Sequence, residues 1–251
     1  MTTIDDPTGL PSQDSASADS FGTDARSLAR TLTLTGASGA LAGLVVGGIG
    51  GRLAMFVLRL TSKDSVAGIE SDDGFTIGRF TSSTVFLLLV CLVLGSVVGL
   101  LYAAARPALP ARWRIPTWTV LAGTFGGAGI LHSDGVDFTA LDPQLLACAL
   151  FVAVPALGGL ATAWLVERRD EWWFTDRRRT VVASLALIPA LAAFPLVVAA
   201  ALVASLVLAL GQIGPLRRAV CRWGAWPVRA ALVAVIALSG LALANDLGAI
   251  L

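Results

Sequence analysis

The sequence predicts an all-α protein, a polytopic bundle of transmembrane helices, and three observations carry that prediction. Apolar residues make up 56% of the chain and charged residues 14%, with a mean hydropathy of +0.79; an ordinary soluble domain has about a quarter charged. The charges are confined to short segments between long apolar runs, so the formal net charge of +1 says less than its distribution. Within the first run, Gly39, Gly43, Gly47 and Gly51 recur at four-residue spacing. A helix brings such positions onto one face, giving a smooth stripe. In water each of those glycines costs roughly 1 kcal/mol relative to alanine, but in a bilayer a small-residue stripe lets a second helix approach closely.

The chain opens on a segment rich in Ser, Thr and Asp, residues 1–27, which has neither the basic start nor the apolar core of a signal peptide. Its composition predicts a disordered tail that stays attached to a transmembrane domain over residues 28–251. Arg26 and Arg30 precede the first span, which predicts a cytoplasmic N-terminus. The apolar runs that follow cover about 32–60, 82–105, 116–132, 144–166, 180–211 and 229–250. About 20 residues cross the hydrocarbon, so most of these runs are single spans. The run 180–211 is long for one helix and short for two, and Pro189 and Pro195 interrupt it.

Basic residues arbitrate between six and seven spans, because cytoplasmic loops carry the excess of Lys and Arg. Arg106, Arg112 and Arg114 follow the second span, Arg168, Arg169, Arg177, Arg178 and Arg179 the fourth, and Arg217, Arg218, Arg222 and Arg229 precede the last. The segments 61–79 and 133–143 are acidic and face outward. All three basic segments lie inside only if 180–211 goes out and returns, so seven spans are favoured over six, with the C-terminus outside. Trp113, Trp118, Trp172, Trp173, Trp223 and Trp226 flank spans on the inner side and read as an interfacial belt.

Several polar residues gather toward the outer side in this topology. Arg52 comes about 20 residues into the first run, within reach of water by snorkelling or of an acidic partner. Asn245 and Asp246 approach the same level near the end of the last run, which places an Arg52–Asp246 ion pair among the expectations. His132, the one histidine, stands beside Asp134, with Asp137 and Asp142 nearby. A lone imidazole there is an interface residue, and the acidic spacing is not that of an EF-hand, so no metal site is expected. Cys91, Cys148 and Cys221 are isolated and read as small buried residues rather than a disulfide or metal framework. Asp72, Asp73 and Arg79 sit in the first outer segment, within Glu70-Ser71-Asp72-Asp73-Gly74-Phe75-Thr76-Ile77-Gly78-Arg79-Phe80-Thr81, whose Asp-Gly step suits a tight turn.

That acidic loop, together with Gly51-Arg52 and Met55, Val136-Asp137-Phe138 before Pro143, and Asp246-Leu247 with Ala249-Ile250-Leu251, resembles a family of multi-pass membrane proteins from high-GC Gram-positive bacteria. The resemblance covers most of the chain beyond about residue 30. It implies a bacterial inner-membrane location and no activity, since none is assigned to that family.

Function classes narrow by exclusion. The chain has no GxSxG, HExxH or phosphate-binding loop, no paired acids within a span and a single histidine, which argues against an enzyme and against a bound cofactor. Basic clusters are short and explained by topology, so no nucleic-acid partner is indicated. The expected role is scaffolding, sensing or assembly, with the bilayer and a second copy or another membrane protein as partners. The alternative is a small-solute or ion transporter with an outward acidic vestibule; Leu41-Ala42-Gly43…Gly47-Gly48 and Leu121-Ala122-Gly123…Gly126-Gly127 echo each other weakly, as repeated halves would.

Overall fold

The computed structural model describes residues 13–61, 82–131, 143–169, 199–200, 202–206 and 225–250, and among them there is no strand. Six helices organise these residues. Helix α1, Gln13–Ala42, continues through a wider-wound segment, Gly43–Gly50, into α2, Gly51–Thr61. Then come α3, Ser82–Ala105, α4, Arg114–Ile130, α5, Gln144–Arg169, and α6, Ala225–Ile250. Among the described residues, four stretches are long and apolar enough to cross a membrane: Leu28–Thr61, Thr84–Ala108, Gln144–Arg168 and Trp226–Ile250. Helix α4, at 17 residues, is shorter, about 25 Å.

The first helix begins at Gln13, inside the segment expected to be disordered. Once an apolar helix is nucleated, adding a residue at its end costs far less than starting a new one, so Ser and Ala continue the pattern backward. The run 180–211, on which the span number turns, lies mostly outside the described residues.

Helices α1 and α3 pack antiparallel along a seam of glycines. A β-carbon built on Gly39 would stand 2.8 Å from Gly99 N, and one on Gly95 would stand 2.8 Å from Gly43 Cα. Carbon atoms at optimal separation are about 3.5–4.0 Å apart, so this seam has no room for a methyl group. Moving forward along α1 from Gly39 to Gly43 moves backward along α3 from Gly99 and Gly95 to Cys91. At Gly47 the same construction meets the Cys91 side chain, its Sγ 3.4 Å away, and at Gly51 it meets nothing within 4 Å. The stripe is therefore closest-packed in its first half and open by Gly51.

A second antiparallel seam joins α4 to α5. There Gly123 faces Ala156 Cβ at 3.0 Å, Gly126 faces the ring of Pro155, and Gly159 faces Trp118 O at 3.0 Å, all measured from a built β-carbon. Several polar residues enter these interfaces by turning their hydroxyls onto their own helix. Thr35 Oγ1 donates to Thr31 O at 2.9 Å, Ser96 Oγ to Leu92 O at 3.0 Å and Thr162 Oγ1 to Gly158 O at 2.8 Å. Each hydroxyl is satisfied without a partner on another helix, which keeps its burial affordable.

The two ends of the bundle differ. At one end Leu58, Leu131, Ala147, Cys148 and Leu243 share an apolar cluster, so the C-terminal parts of α2, α4 and α6 meet the start of α5. At the other end, the close of α3, the start of α4, the close of α5 and the start of α6 converge. Helix α6 thus runs parallel to α1 and α4, and the chain leaves α5 and enters α6 at the same end. Between them, Ala200 is buried against Val93 and Leu100, within the depth of α3.

Candidate functional site

The charged side chains of the described structure concentrate where α3, α4 and α5 end or begin. Glu167 is the centre. The last turn of α5 brings its carboxylate to face Tyr102 and Arg106, which lie four residues apart and so share one face of α3. Tyr102 Oη donates to Glu167 Oε1 at 2.8 Å, and Arg106 Nε donates to the same oxygen at 2.8 Å. Arg114, the first residue of α4, donates from Nη1 to Oε2 at 3.3 Å and from Nε to Leu109 O at 3.2 Å. One carboxylate therefore ties three helices, and both of its oxygens are used.

Burial raises the stakes of this arrangement. Tyr102 is fully enclosed, while the side chains of Arg106, Arg114 and Glu167 retain 24, 23 and 21% exposure. A half-buried carboxylate with two guanidinium donors is compensated, but removing one member leaves charges that water reaches poorly. Trp118 closes the site from within the bundle, its ring 5.2 Å from that of Tyr102 and tilted by 58°. With Ala105, Ala163 and Val166, these rings form an apolar floor under the ion pairs. Trp118 is 5% exposed, so it is not part of an interfacial belt; Trp113 and Trp226 are exposed, at 53 and 76%. The close approach of α4 to Gly159 of α5 sets Trp118 against that helix, and tryptophan position along a span does not reveal which face it occupies. Trp172, Trp173 and Trp223 lie outside the described residues.

The turn between α3 and α4 is built around two prolines, Pro107 and Pro110, with single helical turns at Arg106–Ala108 and Ala111–Trp113. Arg229, near the start of α6, fastens onto it by donating from Nε to Ala108 O at 2.6 Å. Nearby, Arg168 Cζ stands 5.1 Å from the Trp164 ring centroid and Arg112 Cζ 6.0 Å from that of Trp113.

The outer-side residues singled out in the sequence fare differently. Asp72, Asp73, Arg79, His132, Asp134 and Asp137 lie outside the described residues. Arg52 Nη2 donates to Thr84 Oγ1 at 2.8 Å, linking α2 to the start of α3. The expected ion pair of Arg52 with Asp246 does not form among the described residues. Arg52 precedes Leu58 by more than one helical turn and is turned toward α3, whereas α6 meets the end of α2 through Leu243, Leu247 and Ile250 in the Leu58 cluster. Asn245 is exposed and Asp246 partly buried on the same helix. No group of three or more His, Cys, Asp or Glu side chains that could hold a metal ion occurs among the described residues.

Tyr102 and Glu167 were not legible as a site in sequence. Two signals existed: the single tyrosine of the chain lies one helical turn before Arg106, and Glu167 precedes Arg168 and Arg169 at the end of an apolar run. Nothing in that pattern says that one helix end reaches the other. Compared with known proteins, the chain matches no family model, no curated protein and no solved structure.

Proposed function

We propose that this chain is a seven-span protein of the bacterial plasma membrane, N-terminus inside, that acts as a scaffolding, sensing or assembly element rather than as a catalyst. The observation that carries this reading is the α1–α3 seam, where Gly39, Gly43, Gly95 and Gly99 bring two backbones together with no room for a methyl group. An interface so tight serves a fixed helix pair, not a solute path. Hydroxyls bonded back onto their own helices, and charges neutralising one another around Glu167, support the same reading.

Seven spans draw support from the chain leaving α5 and entering α6 at one end, since an even number of crossings between them fits that return. The arginines at that end, Arg106, Arg112, Arg114, Arg168 and Arg229, support its cytoplasmic placement. The resemblance to membrane proteins of high-GC Gram-positive bacteria supports the choice of membrane. The bilayer is the first partner, and a second copy or another membrane protein the next.

A transport reading has one observation in its favour: α1 with α3 and α4 with α5 are both glycine-seamed antiparallel pairs, and the first helix of each runs the same way, as in a parallel internal repeat. Proteoliposomes holding the purified full chain separate the two. Absence of ion or small-solute flux above protein-free vesicles, with the chain oriented and folded, is the scaffold's expectation. A saturable flux sinks it.

A further inference from the structure

We propose that the turn 106–113, together with Arg229, binds the phosphate of an anionic phospholipid headgroup in the leaflet at that end of the bundle. The proposal rests on the membrane reading above and adds a ligand to it. Charge is the first argument. Among the described residues, Arg106, Arg112, Arg114, Arg168 and Arg229 gather at this end, and Glu167 is packed among them. Glu167 is already occupied by Tyr102, Arg106 and Arg114. Arg112 and Arg229 are exposed and make no ion pair with it.

Preorganisation is the second argument. A topology signal needs only positive charge somewhere in a loop. Here Arg229 is fixed on the turn by its 2.6 Å bond from Nε to Ala108 O, which leaves its two terminal nitrogens as donors. Arg112 follows Ala108 by four residues, so their Cα atoms are at most about 14 Å apart. The turn itself is stiffened by Pro107 and Pro110 and closed by Trp113 N donating to Pro110 O at 2.9 Å. Guanidinium forks on a rigid turn match the oxygens of a phosphate.

The surroundings distinguish a lipid from a soluble anion. Trp113 and Trp226 are largely exposed beside the arginines, and exposed tryptophans at a span end sit at headgroup level. Leu101 on α3 and Val228 on α6 are exposed within a few residues of the turn and offer apolar surface to acyl chains. At the opposite end, exposed Arg59 closes α2 and provides an internal control for the loss of one positive charge.

The experiment uses the purified full chain in neutral detergent, titrated with phosphatidylglycerol or phosphatidylcholine while thermal unfolding is followed. Phosphatidylglycerol should raise Tm at concentrations where phosphatidylcholine does not. In Arg112→Gln/Arg229→Gln the half-saturating phosphatidylglycerol concentration should rise about thirtyfold, and in Arg59→Gln it should stay unchanged. Equal response to both lipids, or equal loss in Arg59→Gln, overturns the site; saturation by inorganic phosphate at the same concentration overturns the lipid as its source. Retained lipid counted on the wild-type protein by native mass spectrometry decides the matter even where the double variant does not fold. Carbonate-resistant association with neutral vesicles tests the membrane reading separately.

Discussion

Tyr102 and Glu167, 65 residues apart in sequence, are joined by a 2.8 Å hydrogen bond that makes the end of α3 and the end of α5 one unit. Arg106 and Arg114 complete the unit by placing a guanidinium on each carboxylate oxygen. Glu167→Gln should therefore destabilise the folded chain by about 2–3 kcal/mol, because it removes the negative charge that two partly buried guanidinium groups face, and Tyr102→Phe by about 1 kcal/mol. The double variant should cost less than the sum. Unfolding in detergent measures all three, and strict additivity would detach Tyr102 from the network.

The glycine seam predicts a gradient rather than uniform sensitivity. Gly39→Ala and Gly95→Ala should each cost about 1–3 kcal/mol, since the new methyl meets backbone that cannot step aside. Gly51→Ala, where a β-carbon meets nothing within 4 Å, should be neutral or stabilising by up to about 1 kcal/mol through helix propensity. Thermal stability in a mild detergent reads the difference. Equal cost at Gly39 and Gly51 contradicts the close approach of α1 and α3.

Arg52 offers a test of which helix it serves. Because it donates to Thr84, Arg52→Ala and Thr84→Val should be coupled by at least about 0.5 kcal/mol in a double-mutant cycle. Arg52→Ala and Asp246→Ala should instead be additive. Coupling with Asp246 and none with Thr84 reverses the assignment.

Topology is tested from the ends. Helix α6 runs parallel to α1, so with the N-terminus inside, the C-terminus lies outside. A C-terminal alkaline phosphatase fusion should be active in cells and a green fluorescent protein fusion dark. The opposite pattern contradicts this topology with the N-terminus inside.

By itself the sequence determined the all-helical class and, among the described residues, most of the places where apolar helices run. Long apolar runs set the helices, because a backbone in hydrocarbon must bond within its own segment. The spacing of Gly39, Gly43, Gly47 and Gly51 marked a face suited to close packing, but not its partner: Gly95 and Gly99 lie on α3, and only the antiparallel fold sets them opposite. Tertiary structure also decided where the charges act. Arg106, Arg112 and Arg114 read alike in the sequence, as topology signals after a span, yet Arg106 and Arg114 bind Glu167 while Arg112 remains exposed. Trp118 and Trp113 likewise read as one belt, and one ends buried while the other is exposed. Periodicity fixes which residues share a face of one helix; which face meets which helix depends on contacts across the chain, and those form only when the helices assemble.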